Sequence, residues 1–415
     1  NTAIGINSCS SLTSGTNNTG VGSASLLLLT TGIDNTAIGR QAVDSTTSGS
    51  RNTGIGSAAL AANTTADNNT AVGFAALLRN TTGATNTAVG GVSLSENTTG
   101  SSNVALGYQA LDANTTGNDN VALGVLSLSA NTTASNNIGI GRNALLLNTT
   151  GTDNVAVGTF ALDANTTASS NTSIGHNSLS SNTTGTGNTA VGRSALNANE
   201  TADNNTAFGR SALASCTTGT GNVSVGSFAG DNCTTGSENT YIGDNAGNTH
   251  ATGSGCVFVG RANNGSTNSV SHEIVIGASL QGKGTETAFI GGTSGTFNEE
   301  NVTTFQTTSD QRIKKNIVNY DTGLSIINQL QVKNYEYKTE DEIKTDNPEL
   351  SDVIKSAVVN KTGIQTGLIA QEAEAVLAST VNTASTGVKT LCTDDIFWHM
   401  LNAIKELSAK VTALE

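Results

Sequence analysis

The sequence has 415 residues and a formal net charge of −13, and only 36% of the residues are hydrophobic and 4% aromatic. Large apolar side chains are therefore too few for the two or three conventional cores that this length suggests. Phosphate binding needs a basic surface, so the acidity argues against nucleic acid as a partner. With 47 Gly, one Pro and 12% charged residues, the chain is neither a Pro-rich linker nor a charge-driven disordered tail.

Membrane and metal sites are not expected from the sequence either. The longest strongly apolar run, residues 26–29, is far shorter than the roughly 20 residues that cross a bilayer. The five cysteines are too scattered for a disulfide framework or a zinc site, and the four histidines lack metal-ligand spacing. We therefore expect no membrane insertion, no metal and no cofactor. The sequence starts at Asn1 within a repeat, so an anchoring part is expected to precede it.

A repeat of 17 residues organises most of the chain. Asn recurs fifteen times at this spacing, from Asn1 to Asn239, and Gly stands four residues after each Asn. The unit is N-T-A-V-G-x-x-A-L-x-x-N-T-T-x-x-x, and we number its positions 1 to 17 from the first Asn. Position 3 is small except at Tyr241, position 4 is apolar and mostly branched, and position 9 is Leu in eleven units.

This pattern predicts a parallel solenoid. Positions 2–4 would form a short strand and position 9 would lie on a second extended segment, with turns rich in Gly, Asn and Thr between them. A unit this small buries nothing alone, but stacked units form continuous apolar ladders. Asn at position 12, from Asn63 to Asn199, would form an amide ladder. At about 4.8 Å per turn, fifteen units would extend roughly 70 Å. The rhythm is lost near residue 292.

The units N-T-A-V-G and N-V-A-L-G, followed by x-x-A-L, resemble the head repeats of trimeric autotransporter adhesins, which also occur in phage tail fibres. The resemblance covers residues 1 to about 292. It implies a parallel β-roll in which three chains pack through one apolar ladder, although the usual repeat of that family is somewhat shorter.

Other features of the repeat have simpler interpretations. Asn-Thr-Thr triplets match the N-glycosylation acceptor pattern, but they recur at one phase and are better explained as structural turns. Thr rows resemble those of ice-binding solenoids, but here Thr is mixed with Asn, Gly, Ala and Asp. Cys216 and Cys233, one repeat apart, would lie on adjacent turns as a disulfide or as stacked thiols. No sugar-binding cluster or enzymatic cleft is evident in the repeats.

The composition changes near residue 300, where charges become dense. Residues 322–330 predict a helix, 332–337 an extended segment, and 361–377 a turn followed by a helix. The last segment has apolar residues in steps of three and four, a heptad seam that predicts a trimeric coiled coil with Phe397 and Trp398 in the bundle core. The seam residues, predicted to trimerise, are Phe397, Met400, Ile404, Leu407, Val411 and Leu414.

One motif carries potential chemistry. Residues 308–317, T-S-D-Q-R-I-K-K-N-I, match S-D-x-R-x-K-x-x-I at every fixed position. This motif, the later G-L-I-A-Q-E at 367–372 and the closing heptads resemble the intramolecular chaperone module of endosialidases and phage tail fibres. That family cleaves itself and has relatives among eukaryotic membrane-bound transcription factors. The resemblance spans roughly residues 305 to 415.

The resemblance implies a Ser/Lys dyad. A Ser hydroxyl needs a neighbouring base, and a Lys made neutral by burial or by nearby cations can serve. By the family's pattern Ser309 is the nucleophile and Lys314 the base, with Asp310 and Arg312 holding the loop or partner chains in place. The cut would fall between Thr308 and Ser309, and the activity would be at most a single-turnover self-cleaving serine peptidase without external substrate. The plain alternative is a charged loop followed by a basic strand.

The predicted fold is mostly β: a homotrimeric parallel β-roll or solenoid of 17-residue repeats, followed by a small α+β module that ends in a trimeric coiled coil. The predicted domains are the repeats at 1–292, a connector with the cleavage site at 293–308, and an intramolecular chaperone module at 309–415, with the coiled coil at about 394–415.

The leading functional hypothesis is a virion structural protein, a trimeric phage tail or receptor-binding fibre that is extracellular when assembled. Its partners would be two further copies of itself, other virion tail or fibre proteins, and a host-surface receptor such as a glycan. Degenerate repeats can pair one turn out of register, so a non-repetitive clamp must align the chains. The alternatives are a bacterial trimeric surface adhesin, a class expected to carry a C-terminal membrane anchor, and a self-processing regulator, which would need a DNA-binding domain.

Overall fold

The computed structural model describes residues 1–291, 296–298, 317, 320, 322–346, 363–383 and 389–414. The chain divides into two compact units, Asn1–Thr308 and Ser309–Glu415. We call the described part of the first unit the shaft and that of the second unit the C-terminal module.

The shaft is a β-solenoid with one strand of three residues per turn. Strands β1 to β18 form one parallel sheet, in which Val104 pairs with Val121 and Ala105 with Ala122, one repeat later. The predicted parallel solenoid of 17-residue repeats is confirmed. Its strands are β1 Thr2–Ile4, β2 Thr19–Val21, β3 Thr36–Ile38, β4 Thr53–Ile55, β5 Thr70–Val72, β6 Thr87–Val89, β7 Val104–Leu106, β8 Val121–Leu123, β9 Ile138–Ile140, β10 Val155–Val157, β11 Thr172–Ile174, β12 Thr189–Val191, β13 Thr206–Phe208, β14 Val223–Val225, β15 Thr240–Ile242, β16 Val257–Val259, β17 Ile274–Ile276 and β18 Ala288–Ile290, with β19 Thr296–Asn298 antiparallel to β18.

The C-terminal module is α+β, as predicted. Its described helices are α1 Leu324–Ile327, α2 Glu340–Asp346, α3 Ala370–Val376 and α4 Asp394–Thr412, with a 3-10 turn at Ala378–Thr380. Strand β20 Lys333–Tyr335 pairs antiparallel with β21 Gln365–Gly367, and β22 Val381–Thr383 pairs antiparallel with β23 Lys389–Leu391. The helix predicted over 322–330 is therefore shorter than expected.

One expectation about the repeat is wrong. Position 9 does not lie on a second extended segment but in a turn with left-handed backbone, with φ of 54° at Leu111 and 53° at Leu128. Such a conformation costs an L-residue about 1–2 kcal/mol. Burial of a Leu side chain contributes about 1.5–3 kcal/mol, and both of these side chains are fully buried. The left-handed backbone at position 9 directs the Leu side chain into the core. Each turn can therefore enclose an apolar core although only three of its residues are in a strand.

Each turn encloses Ala and Leu side chains and leaves the apolar side chain of position 4 partly exposed. Ala105 at position 3, Ala110 at position 8 and Leu111 at position 9 are fully buried, and the same residue types continue this core from turn to turn. Position 4 faces outward, and Leu106 is 43% exposed and Phe208 49% exposed. The predicted alternation of small and large side chains along the strand is present, with the small residue of position 3 facing the core in most turns.

Two ladders of buried Asn side chains link successive turns. At position 1, Oδ1 of Asn103 accepts the backbone N–H of Asn120 at 3.0 Å, and Nδ2 of Asn103 donates to the carbonyl of Gly117 at 2.9 Å. At position 12, Nδ2 of Asn114 donates to Oδ1 of Asn97 at 2.9 Å and to the same Gly117 carbonyl at 3.0 Å. The predicted ladder at position 12 is confirmed. The ladder at position 1 is a second one, which the sequence pattern did not predict.

The position 12 ladder ends at Asn199, because the next turns carry Cys216 and Cys233 there. The Oδ1 atom of Asn199 is buried without a hydrogen-bond partner. Both thiols are buried and free, so of the two predicted alternatives the structure has stacked thiols. A hydrogen bond with Cys233 together with burial raises the pKa of Cys216, and burial raises that of Cys256 to about 11. Cys216 and Cys256 are therefore protonated and weakly nucleophilic at neutral pH.

His250 occupies position 12 of the turn that follows Cys233. Its ring contacts the rings of Tyr241 and Phe258. Its Nε2 faces the carbonyl of Val270 at 2.8 Å and its Nδ1 faces the hydroxyl of Tyr241 at 2.7 Å. A carbonyl only accepts, so Nε2 carries the proton and Nδ1 accepts from the hydroxyl. Tyr241 in turn stacks on Phe258, with ring centroids 5.6 Å apart. The neutral imidazole is thus fully hydrogen-bonded inside the shaft.

Two constraints together require glycine at position 5: the backbone φ angle and the close packing against the next turn. Gly90 has a φ of 133°, and a Cβ there would lie 2.5 Å from the carbonyl oxygen of Gly107 in the next turn. Its neighbour Gly91 has a φ that any residue can adopt, and a Cβ there would meet only the ring of Tyr108 at 3.5 Å. The two adjacent glycines therefore form a matched pair.

We expect Gly90→Ala to destabilise the shaft locally by about 2–4 kcal/mol, because strain and a backbone clash add. Gly91→Ala should change stability by less than about 1 kcal/mol. Amide hydrogen exchange over residues 70–125 measures both effects. Similar loss of protection in the two variants would contradict the assigned role of position 5.

We expect the last turns of the shaft to lose stability in acid. Desolvation lowers the pKa of His250 below its usual 6.5, so the unfolded chain binds this proton more readily than the folded one. Stability is then full above pH 6.5 and falls as the pH drops below it. Amide exchange at residues 240–260, corrected for intrinsic rates, should show the loss. His250→Asn should abolish the pH dependence and the exposed His176→Asn should keep it; the reverse pattern would refute the assignment.

Candidate functional site

The residues predicted to carry self-cleavage lie outside the described residues. These are Thr308, Ser309, Asp310, Arg312 and Lys314. The nucleophile, the base and the cleaved bond therefore remain predictions, as does the connector at 293–308.

A partly exposed apolar column runs along the shaft at position 4, where every residue is either exposed or half-buried. Its eighteen residues lie one per strand, so at about 4.8 Å per step the column is about 80 Å long. Monomeric soluble proteins rarely expose a contiguous apolar patch of this extent. We call the following residues the apolar column: Ile4, Val21, Ile38, Ile55, Val72, Val89, Leu106, Leu123, Ile140, Val157, Ile174, Val191, Phe208, Val225, Ile242, Val259, Ile276 and Ile290.

Helix α4 has two apolar faces with different surroundings. Ile396, His399 and Ala403 are buried within the C-terminal module. The six heptad residues lie beside this face and are all exposed in the single chain, from 49% at Met400 to 88% at Leu414. The sequence-predicted seam is thus a continuous apolar surface outside the module's own core.

Phe397 and Trp398 do not belong to the core of the single chain. They are 59% and 55% exposed and contact each other edge to face, with ring centroids 5.0 Å apart. Their predicted place in the core of a three-chain bundle remains a prediction.

The buried face of α4 holds the chain segment that follows the cleavage motif. The His399 ring donates from Nδ1 to the carbonyl of Thr322 at 2.9 Å and accepts at Nε2 from the hydroxyl of Tyr320 at 2.7 Å. The backbone N–H of Leu324 donates to Glu406 at 3.2 Å. His399 was an isolated histidine in the sequence, and its partners are 77 and 79 residues away. No sequence pattern indicates this contact.

The G-L-I-A-Q-E stretch joins β21 to α3. Thr366 Oγ1 donates to Asn334 across the β20–β21 pair at 2.8 Å, and Lys333 pairs with Glu372 at the start of α3. The predicted extended segment forms as β20 and the predicted helix forms as α3, but strand β21 precedes this helix where the sequence predicted a turn. The stretch is therefore a strand-to-helix connection clipped to the neighbouring strand.

Within the described ranges, no group of three or more His, Cys, Asp or Glu side chains could hold a metal ion. None of the helices in this part of the chain combines the length and the apolar character that a membrane span requires.

Comparison with known proteins finds one similarity. A family model described as chaperone of endosialidase matches residues 309–382. The match begins at Ser309, the first fixed residue of the S-D-x-R-x-K-x-x-I motif, and includes the G-L-I-A-Q-E stretch. No curated protein and no solved structure matches the chain. The chain thus carries a C-terminal domain similar to the chaperone of endosialidase behind a β-solenoid of 17-residue repeats.

Proposed function

We propose that this protein is a virion structural component, a trimeric phage tail or receptor-binding fibre whose C-terminal module aligns three shafts and then releases itself. One combination carries the proposal: a repetitive shaft with a continuous exposed apolar column, followed by a non-repetitive domain of the chaperone type. A partner role with other tail proteins and an extracellular location follow from the same proposal.

The apolar column supplies the driving force for assembly. Burying the remaining exposed part of one branched side chain contributes on the order of 1 kcal/mol. Because the column repeats over eighteen strands, the sum favours association strongly. Three parallel copies around one axis bury every member of the column at the same level, which explains why position 4 stays apolar throughout.

The same regularity makes register the difficult step. A slip of one turn still pairs seventeen of the eighteen levels, so the shaft alone barely distinguishes correct from shifted alignment. Only a structure that occurs once per chain can select one register. The exposed heptad face of α4 fits this role, because its three copies can pack in a single short coiled coil.

Self-release would follow assembly. The Ser309 hydroxyl oxygen attacks the carbonyl carbon of Thr308 while Lys314 accepts the hydroxyl proton. The carbon–nitrogen bond breaks, and that proton passes to the departing amine of Ser309. Water then hydrolyses the ester, which restores the Ser309 hydroxyl and leaves a carboxylate on Thr308. Cleavage makes assembly irreversible, because the aligning module is removed after the shafts have packed.

We expect the expressed wild-type chain to yield two bands on denaturing gels, of 308 and 107 residues, since 415 minus 308 is 107. Ser309→Ala should leave a single intact chain, because it removes the nucleophile. The matched control Ser325→Ala, an exposed Ser on α1, should cleave like the wild type. An intact wild-type chain that is trimeric in solution would refute self-cleavage and leave the aligning role standing.

We expect Leu407→Asp to weaken trimer formation at least about tenfold, because three carboxylates would face one another in the apolar seam. Ala409→Asp adds the same charge on another exposed face of α4 and should leave the trimer intact. Sedimentation or light scattering of the uncleaved Ser309→Ala background measures the mass. A monomeric parent protein would contradict the fibre proposal, and a fully trimeric Leu407→Asp variant would remove α4 from the interface.

A further inference from the structure

Cationic and aromatic side chains are concentrated at position 6, next to the position 5 glycine. Five of the seven arginines between residues 1 and 291 occupy this position, although nothing in the repeat requires a cation there. They are exposed, and position 6 also carries Phe74, 64% exposed, and Tyr108, 55% exposed. The five arginines are Arg40, Arg142, Arg193, Arg210 and Arg261.

Ion pairing separates these arginines from the other two. Arg51 pairs with Asp67 and Arg79 with Glu96, both at 3.2 Å. None of the five position 6 arginines has a carboxylate within ion-pair distance among residues 1–291. The chain has a net charge of −13, so acidic side chains are in excess. The five arginines at position 6 nevertheless have no acidic partner within residues 1–291, so neutralising neighbouring acids does not explain their presence. They are available to an anionic partner.

Aromatic rings hold two of these guanidinium groups. Arg142 lies over the ring of Phe160 at 5.4 Å from its centroid, and Arg210 lies over Phe228 at 4.2 Å. In both pairs the Phe is at position 7 of the next turn. His176 also contacts Phe160 edge to face at 6.3 Å. Stacking fixes the plane of a guanidinium and leaves its edge N–H donors free for a bidentate carboxylate.

The densest part of this line spans six turns and contains no acid. From Arg142 to Phe228, positions 6 and 7 hold only Arg, His, Phe, Thr, Ser and Asn, and the acids of these turns lie at positions 10, 13, 16 and 17. At about 4.8 Å per turn this strip is about 24 Å long. We call it the basic strip and define it as Arg142, Phe160, His176, Arg193, Arg210 and Phe228.

We propose that the basic strip binds an acidic polysaccharide, with sugar carboxylates on the arginines and sugar ring faces on the phenylalanines. An extended, repetitive ligand matches a linear, periodic surface. A purely phosphate polymer would use only the arginines, whereas an acidic sugar offers a carboxylate to the guanidinium groups and an apolar C–H face to the part of each ring that remains exposed. The inference rests on the proposed receptor-binding function and assigns it a receptor class and a place on the shaft.

The test is calorimetric titration of the full chain with alginate oligomers, which are linear chains of uronic acids. Neutral glucan oligomers of equal length and inorganic polyphosphate serve as comparison ligands. We expect alginate to bind more tightly than both. The double variant Arg193→Ala with Arg210→Ala should weaken alginate binding at least about tenfold. Arg51→Ala with Arg79→Ala removes the same charge elsewhere and should change the affinity less than about twofold.

Other results overturn the proposal. Equal losses in the two double variants, or equal affinity for polyphosphate, would indicate general charge attraction. A trimeric wild type that does not bind alginate would remove this inference and leave the fibre proposal intact. Light scattering of the same samples covers the remaining case: if the Arg193/Arg210 variant dissociates, the strip is a contact between subunits. A monomeric wild type that binds alginate through these arginines would keep the inference and remove the fibre proposal.

Discussion

Every turn of the shaft depends on hydrogen bonds that only the adjacent turns can supply. The position 1 amide of Asn103 accepts the next turn's backbone N–H, and the position 12 amide of Asn114 donates to the previous turn's Asn97. Both amides also converge on one inward carbonyl, that of Gly117. A buried amide without these partners is costly, so one turn cannot fold alone and a stack can. Repetition is therefore a condition of stability in this fold.

This constraint keeps the interior positions of the repeat close to one set of residues and leaves the exterior positions free to differ. Position 5 must be Gly because Gly107 of one turn lies against the backbone of Gly90. Positions 4 and 6 face solvent, and they differ from each other: position 4 stays apolar at every level, while position 6 changes from Arg to Phe, Ser or Thr. A uniform column suits packing between identical chains, and a varied one suits recognition of a separate partner.

The C-terminal module follows the opposite principle. Contacts that hold its described elements together join residues far apart in the sequence and are not related by a repeat, as in the hydrogen bond between Tyr320 and His399. Helix α4 uses one face to hold the segment after the cleavage motif and leaves its heptad face exposed. A single, unique structure at one end can select a register that the shaft cannot select. The two parts are therefore complementary in the proposed fibre.

The sequence by itself determined two features that recur every 17 residues, the parallel register and the position 12 amide ladder, and it also showed the heptad spacing of the last helix and the single S-D-x-R-x-K-x-x-I motif at Ser309. The register and the ladder are readable because a period of 17 places equivalent residues in contact. Only the tertiary structure decided that position 9 bends inward at Leu111 and that His399 meets Tyr320. It also decided that Arg193 and Arg210 have no ion pair within residues 1–291, whereas Arg51 has one. The period shows which residues stack on one another. It does not show the backbone angles, nor the contacts between residues that the repeat does not relate, because both depend on how the whole chain packs around its core.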